Sequence, residues 1–212
     1  MDNNKKIKIR VMIELKEFIE KMRATSSSLE KVEIIKNSSD FIHKILEATY
    51  NPYKQYNVTS KTCIKNSHLV KEHDLSLFEV LEILNKREAT GHDAVALVNG
   101  LVANHTDLIY KVIRFCFENL GYEDIIYKII DKDLEVRAGD KVINKAVPGL
   151  IPTFKVALAK EFEGKCDWDD SWYASRKLDG VRCLARVDFD GICTLYSRTG
   201  KEFTTLNKVK EA

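Results

Sequence analysis

A short segment of the sequence brings together the groups that a phosphate-directed nucleophile needs. Residues 176–182 read R-K-L-D-G-V-R, so Lys177 lies between Arg176 and Arg182, with Gly180 in the intervening turn. A free lysine amine has a pKa of about 10.4 and is mostly protonated near neutral pH. Neighbouring cations favour the neutral, nucleophilic amine and also stabilise charge on a phosphate under attack. The segment therefore predicts that Lys177 attacks a phosphorus atom.

A second basic segment follows one predicted hairpin later. Residues 197–200 read S-R-T-G, which places Arg198 beside a glycine in a turn. A lone R-K-L-D-G-V-R segment would leave a plain hairpin, whose Asp-Gly turn has exposed basic flanks, the likelier interpretation. Here the segment is not alone, so both interpretations are kept at this point.

The elements that position these residues change in type along the chain. From Val11 to about Lys145 the apolar residues recur every three or four positions, which predicts helices. After Pro148 the pattern alternates, and 182–188 and 191–197 predict two strands joined by an Asp-Phe-Asp-Gly turn. We therefore expect an α+β protein with a helical domain at 1–147 and the start of an antiparallel-sheet domain at 148–212.

Shorter signals add detail to this scheme. They predict capping boxes at Ser27 with Glu30 and at Ser76 with Glu79, and a helix capped by Thr106. They also predict a strand at 172–176 and a helix capped by Thr204 or Thr205.

The segment from Tyr50 to Lys71 contains several lysines and tyrosines but no acidic residue. Its proline, asparagines and serines predict a loop. One interpretation is a solvated connector. The other is a basic loop along a phosphate backbone, in which Lys54, Lys61 and Lys65 bind DNA.

Composition limits the classes of protein to which this chain can belong. The net charge of +2, with 44% hydrophobic and 31% charged residues, is ordinary for a globular protein. No stretch is as apolar as a membrane span or a secretory signal, so we expect a cytoplasmic location, or wherever host or viral DNA is replicated. The cysteines and histidines lack metal-binding spacing, so we expect no metal-ligating residues among them.

Taken together, the motifs resemble those of ATP-dependent DNA ligases. K-x-D-G-x-R at 177–182 followed by S-R-x-G at 197–200 resembles the nucleotidyltransferase domain of that family. D-L-E-V-R-A-G at 133–139 resembles the end of its helical DNA-binding region, and N-K-A-V-P-G-L-I-P at 144–152 resembles the linker of the T-even phage ligases. Residues 157–159 resemble the family's M-L-A segment, although Ala157 replaces the usual methionine.

The resemblance implies a three-step reaction that uses ATP and Mg²⁺. Lys177 takes AMP from ATP, AMP passes to the 5′-phosphate at a nick, and the 3′-hydroxyl displaces AMP to seal the strand. Arg182 and Arg198 match the family's arginines that hold nucleotide or DNA phosphate. The expected partner is nicked double-stranded DNA, and the expected processes are DNA repair, replication and recombination.

Later motifs of the family are absent after Gly200. Neither the G-E-L nor the E-G element follows, and K-V-K at 208–210 comes too early to be the late K-x-K. We therefore expect that this polypeptide alone does not seal nicks and that a missing C-terminal portion or a partner chain completes the site. Two alternatives are a catalytically inactive DNA-binding fragment and an RNA ligase or capping-type nucleotidyltransferase. The long helical region ahead of Lys177 argues against the latter.

Overall fold

The computed structural model describes residues 3–113, 122–154, 169, 171, 173, 176 and 179–210. The contacts divide the chain into two compact units, Met1–Pro152 and Thr153–Ala212. The units are described separately below.

Helices make up the regular structure of the described part of the first unit. They are α1 (Asn3–Ala24), α2 (Ser28–Lys36), α3 (Asp40–Tyr50), α4 (Ser60–Lys65), α5 (Leu77–Asn85), α6 (Gly91–Ile113), α7 (Tyr122–Ile130) and α8 (Asp140–Ala146). The predicted helical pattern is therefore confirmed for these described residues.

One apolar core joins these helices. On α1 the apolar residues Leu15, Phe18, Ile19 and Met22, spaced by three and four or adjacent, are buried. Other large side chains with almost no exposure include Ile35, Ile42, Ile45, Leu46, Leu84, Leu101, Ile126, Ile129 and Leu134. Burial of each such side chain contributes roughly 1.5–3 kcal/mol, so this core holds the helices in fixed relative positions.

Serine and threonine residues cap several of the helices. At α5 the predicted capping box is confirmed, because the Ser76 hydroxyl accepts from the Glu79 amide while the Glu79 carboxylate accepts from the Ser76 amide. At α2 the Ser27 hydroxyl accepts from the Glu30 amide at 3.3 Å, but the Glu30 carboxylate accepts from the Thr25 hydroxyl instead. The predicted box at Ser27 is therefore only half formed.

Two other sequence-based expectations in this unit are wrong. The segment 50–71 is not a loop throughout, since Thr59 caps α4 within it. Helix α6 runs through Thr106, so that residue does not begin a helix. At α4, hydrogen bonds from Asn99 and to Asp131, both distant along the chain, override the local loop pattern.

The described part of the second unit contains a β-hairpin. Strands β1 (Cys183–Val187) and β2 (Cys193–Ser197) are antiparallel, and Ala185 lies opposite Leu195. Leu195 is fully buried, and the ring of Tyr196 lies 5.8 Å from that of Phe154. Both predicted strands and the turn between them are confirmed.

Helix α9 (Asn207–Lys210) follows the hairpin and begins later than a cap at Thr204 or Thr205 would require. Most of the predicted strand at 172–176 lies outside the described residues. The protein is helical with a small antiparallel sheet, which agrees with the expected α+β class. The functional domains at 1–147 and 148–212 stay a prediction.

Candidate functional site

The register of the hairpin brings two of the predicted phosphate-binding arginines to one end. Cys183 pairs with Ser197 as the last pair of the ladder. Arg182 directly precedes that pair on β1 and Arg198 directly follows it on β2, and both side chains are exposed. Two guanidinium groups at one end of a hairpin favour an anionic ligand there.

The turn that follows β2, at residues 197–200, explains why a serine precedes Arg198 and a glycine lies two positions after it. The Ser197 carbonyl accepts from the Gly200 amide at 2.9 Å, and the Ser197 hydroxyl accepts from the Lys201 amide at 3.0 Å. Gly200 has a φ of +82°, a conformation that favours glycine. The turn therefore fixes the backbone on both sides of Arg198, while the Arg198 side chain stays exposed to solvent.

The turn between β1 and β2 has the same construction. The Asp188 carbonyl accepts from the Gly191 amide at 3.1 Å, the Asp188 carboxylate accepts from the Ile192 amide at 2.8 Å, and Gly191 has a φ of +78°. These are three-residue turns that end in a left-handed glycine. Only the second of them carries an arginine.

Lys177, the predicted nucleophile, lies outside the described residues. Arg176 and Asp179, on either side of it, are exposed. Gly180 has no positive φ, and a Cβ added there would meet no described atom within 4 Å.

In the helical unit, the segment 131–139 is held by cations from other elements. Leu134, Val136 and Ala138 point into the core. Lys31 is 3% exposed, and its amine donates to the carbonyl oxygens of Val136 at 2.8 Å and Arg137 at 3.2 Å. Two carbonyl oxygens of the segment are thereby paired with a buried donor.

The same segment contains three non-glycine residues in the left-handed region, namely Lys132, Glu135 and Arg137, with φ between 51° and 62°. Such residues persist where the surroundings hold them in place. Here the Arg23 guanidinium donates to the Glu135 carboxylate at 2.8 Å, and the Lys128 amine lies 3.2 Å from that carboxylate. The segment is therefore a fixed feature of the surface of the unit.

Lys132 was not singled out from the sequence, yet its side chain binds the backbone of the segment that precedes α4. Its amine donates to the carbonyl oxygens of Asn51 at 2.6 Å and Lys54 at 2.8 Å and lies 5.4 Å from the centre of the Tyr56 ring. Burial lowers the pKa of Lys132 to about 8. No local sequence signal identifies this role, because the partners are about eighty residues away along the chain.

The three lysines predicted to bind DNA have different surroundings. The Lys54 amine lies 2.5 Å from the Glu47 carboxylate, and its side chain is half-buried. Lys61 and Lys65 lie one turn apart on α4 and are exposed. The structure therefore brings Lys61 and Lys65 together and gives Lys54 an acidic partner of its own.

The described residues contain no group of three or more His, Cys, Asp or Glu side chains arranged to hold a metal ion. No described helix is long and apolar enough to cross a membrane.

Comparison with known proteins identifies DNA ligases as relatives. The chain is 25% identical over 205 residues to the DNA ligases of Enterobacteria phages T4 and T6, a match that covers 91% of this chain and 39% of each relative. The chain thus spans about two fifths of the length of those relatives. No family model matches the chain.

Solved structures share the fold. The chain named Pmar-Lig_PreS3 superposes with a TM-score of 0.60 at 21% identity, covering 93% of this chain and 45% of that one. A second, named Pmar-Lig_Pre., gives a TM-score of 0.59 at 22% identity with the same coverage. The expected resemblance to the T-even phage DNA ligases is thereby confirmed over most of the chain.

Proposed function

We propose that this chain is the part of an ATP-dependent DNA ligase that grips a nicked duplex and accepts AMP on Lys177. The observation that carries the proposal is the match to the phage T4 DNA ligase over 91% of the chain. The K-x-D-G-x-R and S-R-x-G motifs lie within one short stretch of sequence and supply the chemistry that such a reaction needs.

The first step forms a bond between the Lys177 Nζ and the α-phosphorus of ATP. Pyrophosphate leaves with the electron pair of the broken P–O bond, and the amine loses its proton. A neutral amine is required, and the cationic side chains of Arg176 and Arg182 favour that form. Mg²⁺ supplies charge neutralisation on the phosphates when it is bound.

Arg182 and Arg198 also bind the phosphates, and for Arg182 this role comes in addition to its effect on the amine. A guanidinium group binds two phosphate oxygens at once and stays charged at all physiological pH values. The hairpin register and the Ser197–Gly200 turn support a role in which both arginines face the same anionic ligand. In the later steps AMP passes to the 5′-phosphate at the nick, and the 3′-hydroxyl then displaces it.

The experiment is transfer of labelled AMP from ATP by the natural polypeptide that contains this chain. Wild-type protein, Lys177→Ala and Lys36→Ala are incubated with Mg²⁺ and ATP labelled at the α-phosphate. Wild type and the Lys36→Ala variant, in which an exposed lysine of α2 is removed, are expected to gain label. Lys177→Ala is expected to gain none. Equal labelling of Lys177→Ala would contradict the proposal.

The alternative, a DNA-binding chain without catalysis, predicts a different result. Such a chain would gain no label from ATP, and Lys177→Ala would bind nicked duplex as the wild type does. The labelling step therefore separates the two, and addition of nicked duplex to the labelled protein tests the later steps, in which a ligase releases its AMP and seals the strand.

A further inference from the structure

Helix α4 presents a basic face with an apolar residue between its two charges. Lys61 and Lys65 are four residues apart, and Ile64, three residues after Lys61, is 60% exposed. Residues spaced by three or four lie on one side of a helix. We call Lys61, Ile64 and Lys65 the α4 face. Cys63 is fully buried and anchors the opposite side of the helix.

The charges of the α4 face are not compensated within the described part of the chain. Neither amine has an ion pair or hydrogen bond there. Like charges one turn apart destabilise an isolated helix. Segment 50–71 contains no acidic residue to offset them. The nearby Asp131 carboxylate accepts from the backbone amide of Ser60 at 2.9 Å and from its hydroxyl.

Helix α4 is also held rigidly, although it has only six residues. The Thr59 hydroxyl caps its first turn. At the other end, the Asn99 amide donates to the carbonyl oxygens of Cys63 at 3.4 Å, Asn66 at 3.0 Å and Leu69 at 2.9 Å. The side chain of Asn99 is buried in α6, so the core of the unit fixes the orientation of the face. Rigid presentation lowers the ordering cost of binding.

We infer that the α4 face is a contact for the sugar-phosphate backbone of duplex DNA. Lys61 and Lys65 bind neighbouring phosphates of one strand, and Ile64 lies against the sugar between them. Charge complementarity selects this occupant, because two uncompensated cations with a small apolar surface match a polyanion whose sugars are apolar. Contacts of this kind read no bases, as nick sealing requires. Lys54 is not part of the face, since Glu47 already pairs with its amine.

This inference rests on the proposed function, and it is tested by the salt dependence of binding. Binding of a nicked duplex by the 212-residue chain is measured at several salt concentrations for wild type and Lys61→Gln/Lys65→Gln. Each phosphate contact contributes about 0.9 to the slope of log affinity against log salt. The double variant is expected to bind more weakly, with a slope smaller in magnitude by roughly 2.

Lys36→Gln/Lys44→Gln is the matched control. It removes the same charge from exposed positions of α2 and α3. This control is expected to keep the wild-type slope. A slope unchanged in Lys61→Gln/Lys65→Gln, an equal loss in the control, or no duplex binding by the wild-type chain would overturn the inference. Label transfer to Lys177 needs no DNA, so a positive result there with an unchanged slope leaves the proposed function standing.

Discussion

At the residue scale, the most consequential side chain of the helical unit is a buried lysine. The Lys31 amine joins α2 to the backbone of segment 131–139 through two hydrogen bonds. Hydrogen bonds that involve a charged group are worth about 1.5–3 kcal/mol, and their loss leaves buried acceptors without a donor.

We predict that Lys31→Met lowers the free energy of unfolding by about 2 kcal/mol, because the two carbonyl oxygens lose their donor. Urea denaturation followed by circular dichroism measures the change. Lys36→Met, at an exposed position of the same helix, serves as the control and is expected to change little. Equal stabilities of the Lys31→Met and wild-type proteins would show that the contact contributes nothing.

Lys132 gives a prediction about pH. Burial lowers its pKa from 10.5 to about 8 in the folded protein. Between those values the unfolded chain binds more protons than the folded one, so the contribution of Lys132 to stability rises with pH. Relative to Lys132→Met, the wild type should gain about 1 kcal/mol between about pH 7 and about pH 9.5, with solvent screening allowed for.

The measurement is the free energy of unfolding of both proteins at the two pH values. Lys36→Met again serves as the control, because the other alkaline changes of the protein act on it equally. A wild-type advantage over Lys132→Met that falls with pH would mean that the amine is not desolvated as the structure indicates.

The roles of these two lysines could not be predicted from the sequence, whereas the sequence did single out the two arginines at the end of the hairpin, whose role stays a prediction. Arg182 and Arg198 belong to local motifs with recognisable spacing. Lys31 and Lys132 acquire their partners only through tertiary packing, from residues about eighty to one hundred positions away. A charged residue within a helical pattern is usually assigned to the solvent.

At the scale of elements, periodicity of the apolar residues predicted most helices and both strands. It did not predict α4, because segment 50–71 has the composition of a loop. The six residues of α4 are too few to show a helical period, and their helix depends on Thr59, Asn99 and Asp131. An isolated helix of that length is not stable in water. The DNA-binding face proposed above could therefore not be defined before the structure was known.

Gly100 illustrates a second element-scale effect. It lies inside α6, where glycine is unfavourable, and not at a break in the helix. A Cβ at this position would lie 1.9 Å from the carbonyl oxygen of Lys71, whose amide donates to Ala96 in the same helix. Close approach of the backbone after α4 to α6 therefore requires glycine.

We predict that Gly100→Ala destabilises the helical unit by about 2–4 kcal/mol, because helix or loop must move apart despite the better helix propensity of alanine. Thermal unfolding measures the loss. Gly139→Ala is the matched control, since a Cβ there meets no described atom within 4 Å. It should cost no more than about 1 kcal/mol at this helix N-cap. Unfolding temperatures that fall equally in the two variants would contradict the role assigned to Gly100.

At the scale of the whole molecule, the expected α+β class and the resemblance to T-even phage DNA ligases are confirmed, and the chemistry remains our proposal. Hydrophobic patterning identified the helical unit because each amphipathic face has to be buried. Short motifs indicated the resemblance to DNA ligases, because they keep particular residue types at a recognisable spacing. Hydrophobic patterning does not specify long-range polar contacts. The contacts of Lys31 and Arg23 with segment 131–139 could therefore be found only in the structure.

The central claim is that Lys177 is the residue that carries AMP. Its most direct test is peptide mapping by mass spectrometry after the natural polypeptide has reacted with ATP and Mg²⁺. The account predicts one adenylate, attached through a phosphoamide bond to Lys177 and released by pyrophosphate. An adenylate on any other side chain, or no covalent adduct at all, would contradict it.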